Sequence, residues 1–190
     1  MVNGLSVFQR ENFGRLFAFV DVVNSETWDG FGRRDEHLDD AEWKRMFRRR
    51  WSLGPLPSRA RLAALRRLLR RVSTAIAEGK SPANSDLAHL NRYLAAPARR
   101  RLSREGEGYR LELEPARRGP DAVLATIVAS FAEMLAHREV ARLKICPNHG
   151  CRWLFYDETR GNTRRWCDDK SCGNRDKVRR LRERRREQEG

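Results

Sequence analysis

Cys146-Pro147-Asn148-His149-Gly150-Cys151 and Cys167-Asp168-Asp169-Lys170-Ser171-Cys172-Gly173-Asn174-Arg175 between them hold all four cysteines of the 190-residue chain. The spacing is C-x4-C-x15-C-x4-C, inside a window of 27 residues. Two matched pairs suit a tetrahedral zinc ion, because each short loop delivers two thiolates and the spacer lets the second loop fold back opposite the first. The rival reading is two disulfides, which the lack of an export leader at Met1–Ser6 disfavours. Unrelated thiols would scatter along the chain. The spacer itself reads as a hairpin: Trp153-Leu154-Phe155-Tyr156, a turn through Thr159-Arg160-Gly161-Asn162, then Arg164-Arg165-Trp166. Cys146, Cys151, Cys167 and Cys172 fill the coordination sphere, so one structural zinc ion is expected, with no position open to water or substrate. His149 then reads as a loop residue and not a ligand.

C-terminal to the last cysteine runs Gly173-Asn174-Arg175-Asp176-Lys177-Val178-Arg179-Arg180-Leu181-Arg182-Glu183-Arg184-Arg185-Arg186. At helical spacing Arg175, Arg179, Arg182 and Arg186 share a face, and Val178 and Leu181 are expected to pack on the zinc module. Charge runs are usually solvated helix, but this one is anchored at its start by a zinc ligand. The chain as a whole has 40 basic and 26 acidic residues, a net charge of +14. Residues 141–190 hold 15 basic against 8 acidic, half of that net charge in about a quarter of the length. Arginine outnumbers lysine 35 to 5. Codon bias raises arginine everywhere and does not explain the asymmetry, whereas the forked guanidinium matches phosphate oxygens. A nucleic acid is therefore the expected acidic partner. The candidate contacts are Arg164, Arg165, Asn174, Arg175, Lys177, Arg179, Arg180, Arg182 and Arg186, with Asn174 read as either a helix cap or a base contact and the cap preferred.

N-terminal to the cysteines the patterning is helical. Leu16, Phe19, Val20 and Val23 recur at i, i+3, i+4 and i+7. Residues 29–40 read as a polar loop with Gly30 and Gly32, and a short helix is expected over about 40–51. Leu62, Leu65, Leu69, Val72 and Ile76 line one face of a helix over 58–78, closed by Gly79. Ser81-Pro82 reads as a cap and first-turn proline opening a helix with Leu87, Leu90 and Leu94 inward. Alternating runs at 99–104 and 109–114 predict a β-hairpin, and Gly119-Pro120-Asp121 opens a long helix with Val123, Ile127, Phe131 and Leu135 inside. The fold class is thus mainly α (α+β): a helical domain over 1–140 with one small hairpin, then a four-cysteine zinc-hairpin module and basic helix over 141–190. Trp28, Trp43 and Trp51 read as core or rim packing. No stretch is long and apolar enough for a membrane span, and no glycine-rich phosphate loop or nucleophile–base pair is visible.

Cys146-Pro147, Cys151-Arg152-Trp153-Leu154-Phe155-Tyr156-Asp157, Arg164-Arg165-Trp166-Cys167 and Cys172-Gly173-Asn174-Arg175-Asp176-Lys177 together resemble the bacterial CGNR zinc-finger family. Leu16-x4-Asp21-x2-Asn24-Ser25, Trp51 and the hairpin and helix before the cysteines resemble the ABATE domain that usually precedes this finger. Asp168-Asp169-Lys170 stands where that family often has Ser-Met. The resemblance implies a cytoplasmic, nucleoid-associated bacterial transcription regulator, stress-induced, whose finger binds double-stranded DNA, and not an enzyme. The helical domain would then sense an effector or form a homodimer. Asp21 and Asn24, three apart on one helix side, are the candidate effector-binding pair. Their alternative role is structural, with Asn24 ending a helix and Asp21 answering an arginine. Two further functions stand beside DNA binding. Trp153, Phe155, Tyr156 and Trp166 can stack unpaired RNA bases, or the zinc module can dock on an acidic protein of the transcription machinery.

Overall fold

The computed structural model of the chain describes residues 17–28, 34–148 and 150–189. Leu16, Gly30, Gly32, His149 and the Trp28 side chain lie outside the described residues. The centre of the molecule is a six-residue helix, α1 (Ala18–Val23), in which every residue but Asp21 is buried. A helix this short cannot persist alone; it forms because two long helices and a strand close around it. One is α3 (Arg59–Ala77), which turns Leu62, Leu65, Leu69 and Val72 inward at the expected spacing. The other is α5 (Pro120–His137), whose Phe131 ring lies 4.7 Å from that of Phe19. The Ser130 hydroxyl also accepts the Phe19 amide. Between α1 and α5 in sequence also stand α2 (Ala41–Arg50), α4 (Asn84–Leu94) and two hairpins. Asp40 caps α2 by accepting the Glu42 and Trp43 amides, and Trp43, Phe47 and Trp51 are buried.

Part of the stretch expected to be loop is strand. Residues 26–28 (β1) pair antiparallel with 34–36 (β2), because the polar side chains there have a buried partner. Arg66 on α3 reaches Glu36 with two hydrogen bonds of 2.7 and 2.6 Å and the Ser25 hydroxyl with a third. The hydrogen bonds from Arg66 lower the Glu36 pKa from 4.5 to about 2 against the desolvation that opposes them. The second hairpin, β3 (Ala98–Glu105) and β4 (Gly108–Pro115), agrees with the alternating runs. Its turn places Gly106 at φ 59°, a left-handed conformation that suits glycine. The fourth helix departs from expectation. It starts at Asn84 with Ala83, not Ser81, at the N-cap. Leu90 alone is buried, while Leu87 and Leu94 are 37% and 39% exposed, since α4 touches the core along one narrow line.

The last sheet joins the cysteine-bearing segment to the helical core. Strand β5 (Leu143–Ile145) pairs antiparallel with β6 (Leu154–Tyr156). Because side chains alternate across a strand, Leu154 enters the helical core while Phe155 faces the cysteines. Leu143 joins Leu154 in that core. Asn24, buried at the end of α1, fixes the contact. Its Nδ2 donates to the Leu154 carbonyl at 2.8 Å and its Oδ1 accepts the Leu154 amide at 2.9 Å. Arg70 adds a second tie, donating to the carbonyls of Val23 and Arg152; burial lowers its pKa to about 10, so it stays charged at neutral pH.

Replacing Asn24 by Ala leaves the Leu154 amide and carbonyl unpaired in the interior. A loss of about 1–3 kcal/mol in denaturant unfolding is expected, and an unchanged midpoint would contradict the tie. Glu36 makes stability pH-dependent. Its depressed pKa contributes stability above the unfolded value of 4.5 that is lost as pH falls toward about 2. Acid unfolding of Glu36→Gln should show a shallower dependence over that window.

Candidate metal centre and nucleic-acid interface

The four thiols converge as the spacing requires. Cys146, Cys151, Cys167 and Cys172 are all buried, and their sulfur atoms lie within 4.8 Å of one another. Cys151 to Cys167 and Cys167 to Cys172 measure 3.5 and 3.6 Å between sulfurs. A tetrahedron with Zn–S bonds of about 2.3 Å has edges of about 3.8 Å, whereas a disulfide is about 2.05 Å. Four free, buried thiols in this arrangement fit one structural zinc ion. The set is closed: four sulfurs complete the preferred coordination and leave no place for a reacting water.

The first pair sits on the β5–β6 connection. The Cys146 amide donates to the Trp153 carbonyl, extending the strand pairing into the loop, and the Cys151 and Arg152 amides both donate to the Asn148 carbonyl. The hairpin of this module therefore lies between 143–145 and 154–156, and not between 153–156 and 164–166 as the spacing suggested. Residues 164–166 form no strand because their polar groups are gathered elsewhere. Asp157, fully buried, accepts from Lys144 Nζ, from the amide and hydroxyl of Thr159, and from the Arg164 amide. Burial by itself would push its carboxyl up, but these donors outweigh it and hold the pKa well below the usual carboxylate range. Lys144 spends its remaining donors on the Asn162 and Arg164 carbonyls.

Arg164 is drawn into the same structure. Its guanidinium donates to the carbonyls of Trp166 and Cys167 and lies 4.9 Å over the Phe155 ring. Arg165 is exposed, over the ring of Trp166. The second cysteine pair is closed by a π-helical turn, Asp169–Gly173, capped by Asp168 accepting the Lys170 amide. Asp168 thus holds the turn. Gly173 packs tightly, since a Cβ there would meet the Trp166 ring at 3.1 Å and Asp169 Oδ1 at 3.4 Å and both would have to give way.

Directly from that turn α6 (Asn174–Glu189) projects, packed chiefly against its own root. Asn174 sits within the helix at φ −67° and ψ −40°, so capping falls to Asp168. Val178 and Leu181 do not pack on the zinc module: they are 40% and 44% exposed. The reason is the orientation of α6, which turns Asp176 inward, nearly buried, and these two outward. Arg179 pairs with Asp176 and Glu183, and Arg180 pairs with Asp176. Arg175, Lys177, Arg182, Arg184, Arg185 and Arg186 are exposed on the same helix. Arg185, absent from the sequence-based candidates, lies seven residues after Val178 and shares its face.

Asp21 and Asn24 both have structural partners. Asp21 accepts from Trp51 Nε1 at 2.7 Å and lies 3.5 Å from Arg50. Desolvation raises its pKa against the opposing pull of Arg50 and Trp51. The Asn24 amide is spent on Leu154. Of the aromatics that can stack bases, Phe155 is buried, Tyr156 packs with Phe17, and Trp153 and Trp166 lie half-buried against the cysteines.

Family models match nearly the whole chain. Residues 18–138 match the ABATE family, described as "Putative stress-induced transcription regulator". Residues 142–185 match the CGNR zinc finger. No curated protein matches the chain.

Chelating the metal should release Phe155, Trp153 and Trp166 from the sulfur cluster, shift tryptophan emission to longer wavelength and lower the melting temperature. Metal content by mass spectrometry should be one zinc per chain before chelation. Unchanged emission and melting after complete removal would contradict a structural role.

Proposed function

Because this chain belongs to the ABATE family and carries a CGNR zinc finger, we propose that it regulates transcription by binding double-stranded DNA through α6. One observation carries the reading: the basic helix starts two residues after a metal ligand and then runs clear of the body. Cys172 lies in the π turn that leads straight into Asn174. A zinc-fixed root gives the helix a defined direction, as groove-reading helices need. The family description points to a regulator and not to an enzyme, which agrees with a closed four-sulfur site.

The arginines divide by what they already bind. Arg164 holds the zinc module together and is assigned no phosphate. Arg182 and Arg186 are exposed and meet no acid in ion-pair range among the described residues, so they are the proposed phosphate contacts, with Arg165, Arg175 and Lys177 nearer the root. RNA binding by stacking is the less favoured reading, because its four aromatics are taken up in packing. Asp21 and Asn24 are assigned to holding the fold, and no effector is placed on them.

The test is salt dependence of duplex binding. Each lost phosphate contact should reduce the slope of log K against log salt by about 0.9. Arg182→Ala and Arg186→Ala should each show that reduction while retaining one zinc per chain. Slopes equal to that of the unaltered protein would remove these residues from the interface, and preferential binding of single-stranded RNA would overturn the DNA reading.

A further inference from the structure

Helix α6 carries two stripes of opposite chemistry. Asp176, Arg179, Arg180, Glu183 and Glu187 follow each other at helical spacing on one side. The first four are joined in ion pairs, through Arg179 to Asp176 and Glu183 and through Arg180 to Asp176. This stripe starts at a nearly buried acid, so at its root it faces the zinc module. On the other side Val178, Leu181, Arg182 and Arg185 stand at i, i+3, i+4 and i+7, with Asn174 four residues before Val178. All five are exposed. The two apolar members are 40% and 44% exposed.

We propose that the Asn174–Val178–Leu181–Arg182–Arg185 face is the one that enters the major groove, with Val178 and Leu181 contacting thymine methyl groups. This rests on the DNA-binding reading above. Charge decides the occupant. Two isolated aliphatic side chains flanked by Arg182 and Arg185, with the next acid along that face at Glu189, the last residue of the helix, suit a surface that is anionic yet presents small apolar groups. The major groove does so: its walls are phosphates, and the thymine C5-methyl is the apolar group on its floor. A second copy of the helix would bring Arg182 and Arg185 against their own counterparts, which like-charge repulsion opposes. The amide of Asn174, released from capping by Asp168, is suited to the N6 and N7 edge of adenine. Arg179 and Arg180, whose guanidinium groups are held by acids, face away.

The test starts from duplexes selected by the full zinc-loaded chain out of a random pool. Each thymidine in the selected site is then replaced by deoxyuridine, which removes only the methyl group. At one or more positions the protein should lose about fourfold in affinity, the value of one buried methyl. Val178→Ala/Leu181→Ala should bind the thymidine and deoxyuridine duplexes equally, while keeping its zinc and its melting temperature. Glu187→Ala, on the opposite stripe, should keep the discrimination. A selected site without thymine, or indifference of the unaltered protein to the methyl groups, would overturn the proposal while leaving DNA binding intact. Discrimination that survives in Val178→Ala/Leu181→Ala would overturn it as well. Failure to enrich any duplex would overturn the DNA reading itself and this inference with it.

Discussion

The pairing of the Asn24 amide with both backbone groups of Leu154 is the constraint on which the arrangement of this molecule turns. A strand edge buried in a core must find partners for its amide and carbonyl, and β6 is too short to find them in a wider sheet. Asn24 supplies both at once, from the end of a helix 130 positions earlier in the sequence. Arg70 repeats the tie one step along, reaching the end of α1 and the loop after Cys151 together. The zinc module is therefore part of the helical core and not a bead on a linker. Stabilisation gained from thiolate coordination, on the order of ten kcal/mol in isolated zinc peptides, is shared with the body through Leu143 and Leu154.

The same strand explains how one short segment serves two cores. Leu154 faces α1 and Phe155 faces the sulfurs, so alternation along β6 divides the apolar interior between helices and metal. Beyond it, Asp157 gathers Lys144, Thr159 and Arg164 into a rigid loop that delivers Cys167 opposite Cys151. Gly173 then lets Trp166 pack against the π turn from which α6 leaves. Each step passes a fixed geometry to the next, and its end is a basic helix whose direction is set by the metal. Arginine does two jobs along this path. Arg66, Arg70 and Arg164 are consumed by carbonyls, hydroxyls and acids within the fold, while Arg182, Arg185 and Arg186 are left to solvent.

Much of this was legible in the sequence. The cysteine spacing gave the metal set, because two close pairs admit few other geometries. The 3.6-residue periodicity of Leu62, Leu65, Leu69 and Val72 located α3, because its one buried face is long. What could not be read were contacts set by tertiary partners. Residues 34–36 looked like loop because they are polar, and it is pairing with 26–28 and the reach of Arg66 to Glu36 that make a strand of them. Leu87 and Leu94 kept helical spacing but stay more than a third exposed. Val178 and Leu181 looked like inward residues by type, yet Asp176 takes the inward position once its arginines are in place. Asn24 stood out in the sequence, but its partner lies too far along the chain for spacing to reveal.

The central claim, that a zinc-fixed helix reads duplex DNA, is tested most directly by selecting from a random duplex pool at about 150 mM salt, with and without a chelator. The zinc-loaded chain should enrich a defined site, and the chelated chain should enrich none while keeping weak binding to any polyanion. Equal enrichment of the same site by the metal-free protein would contradict the account.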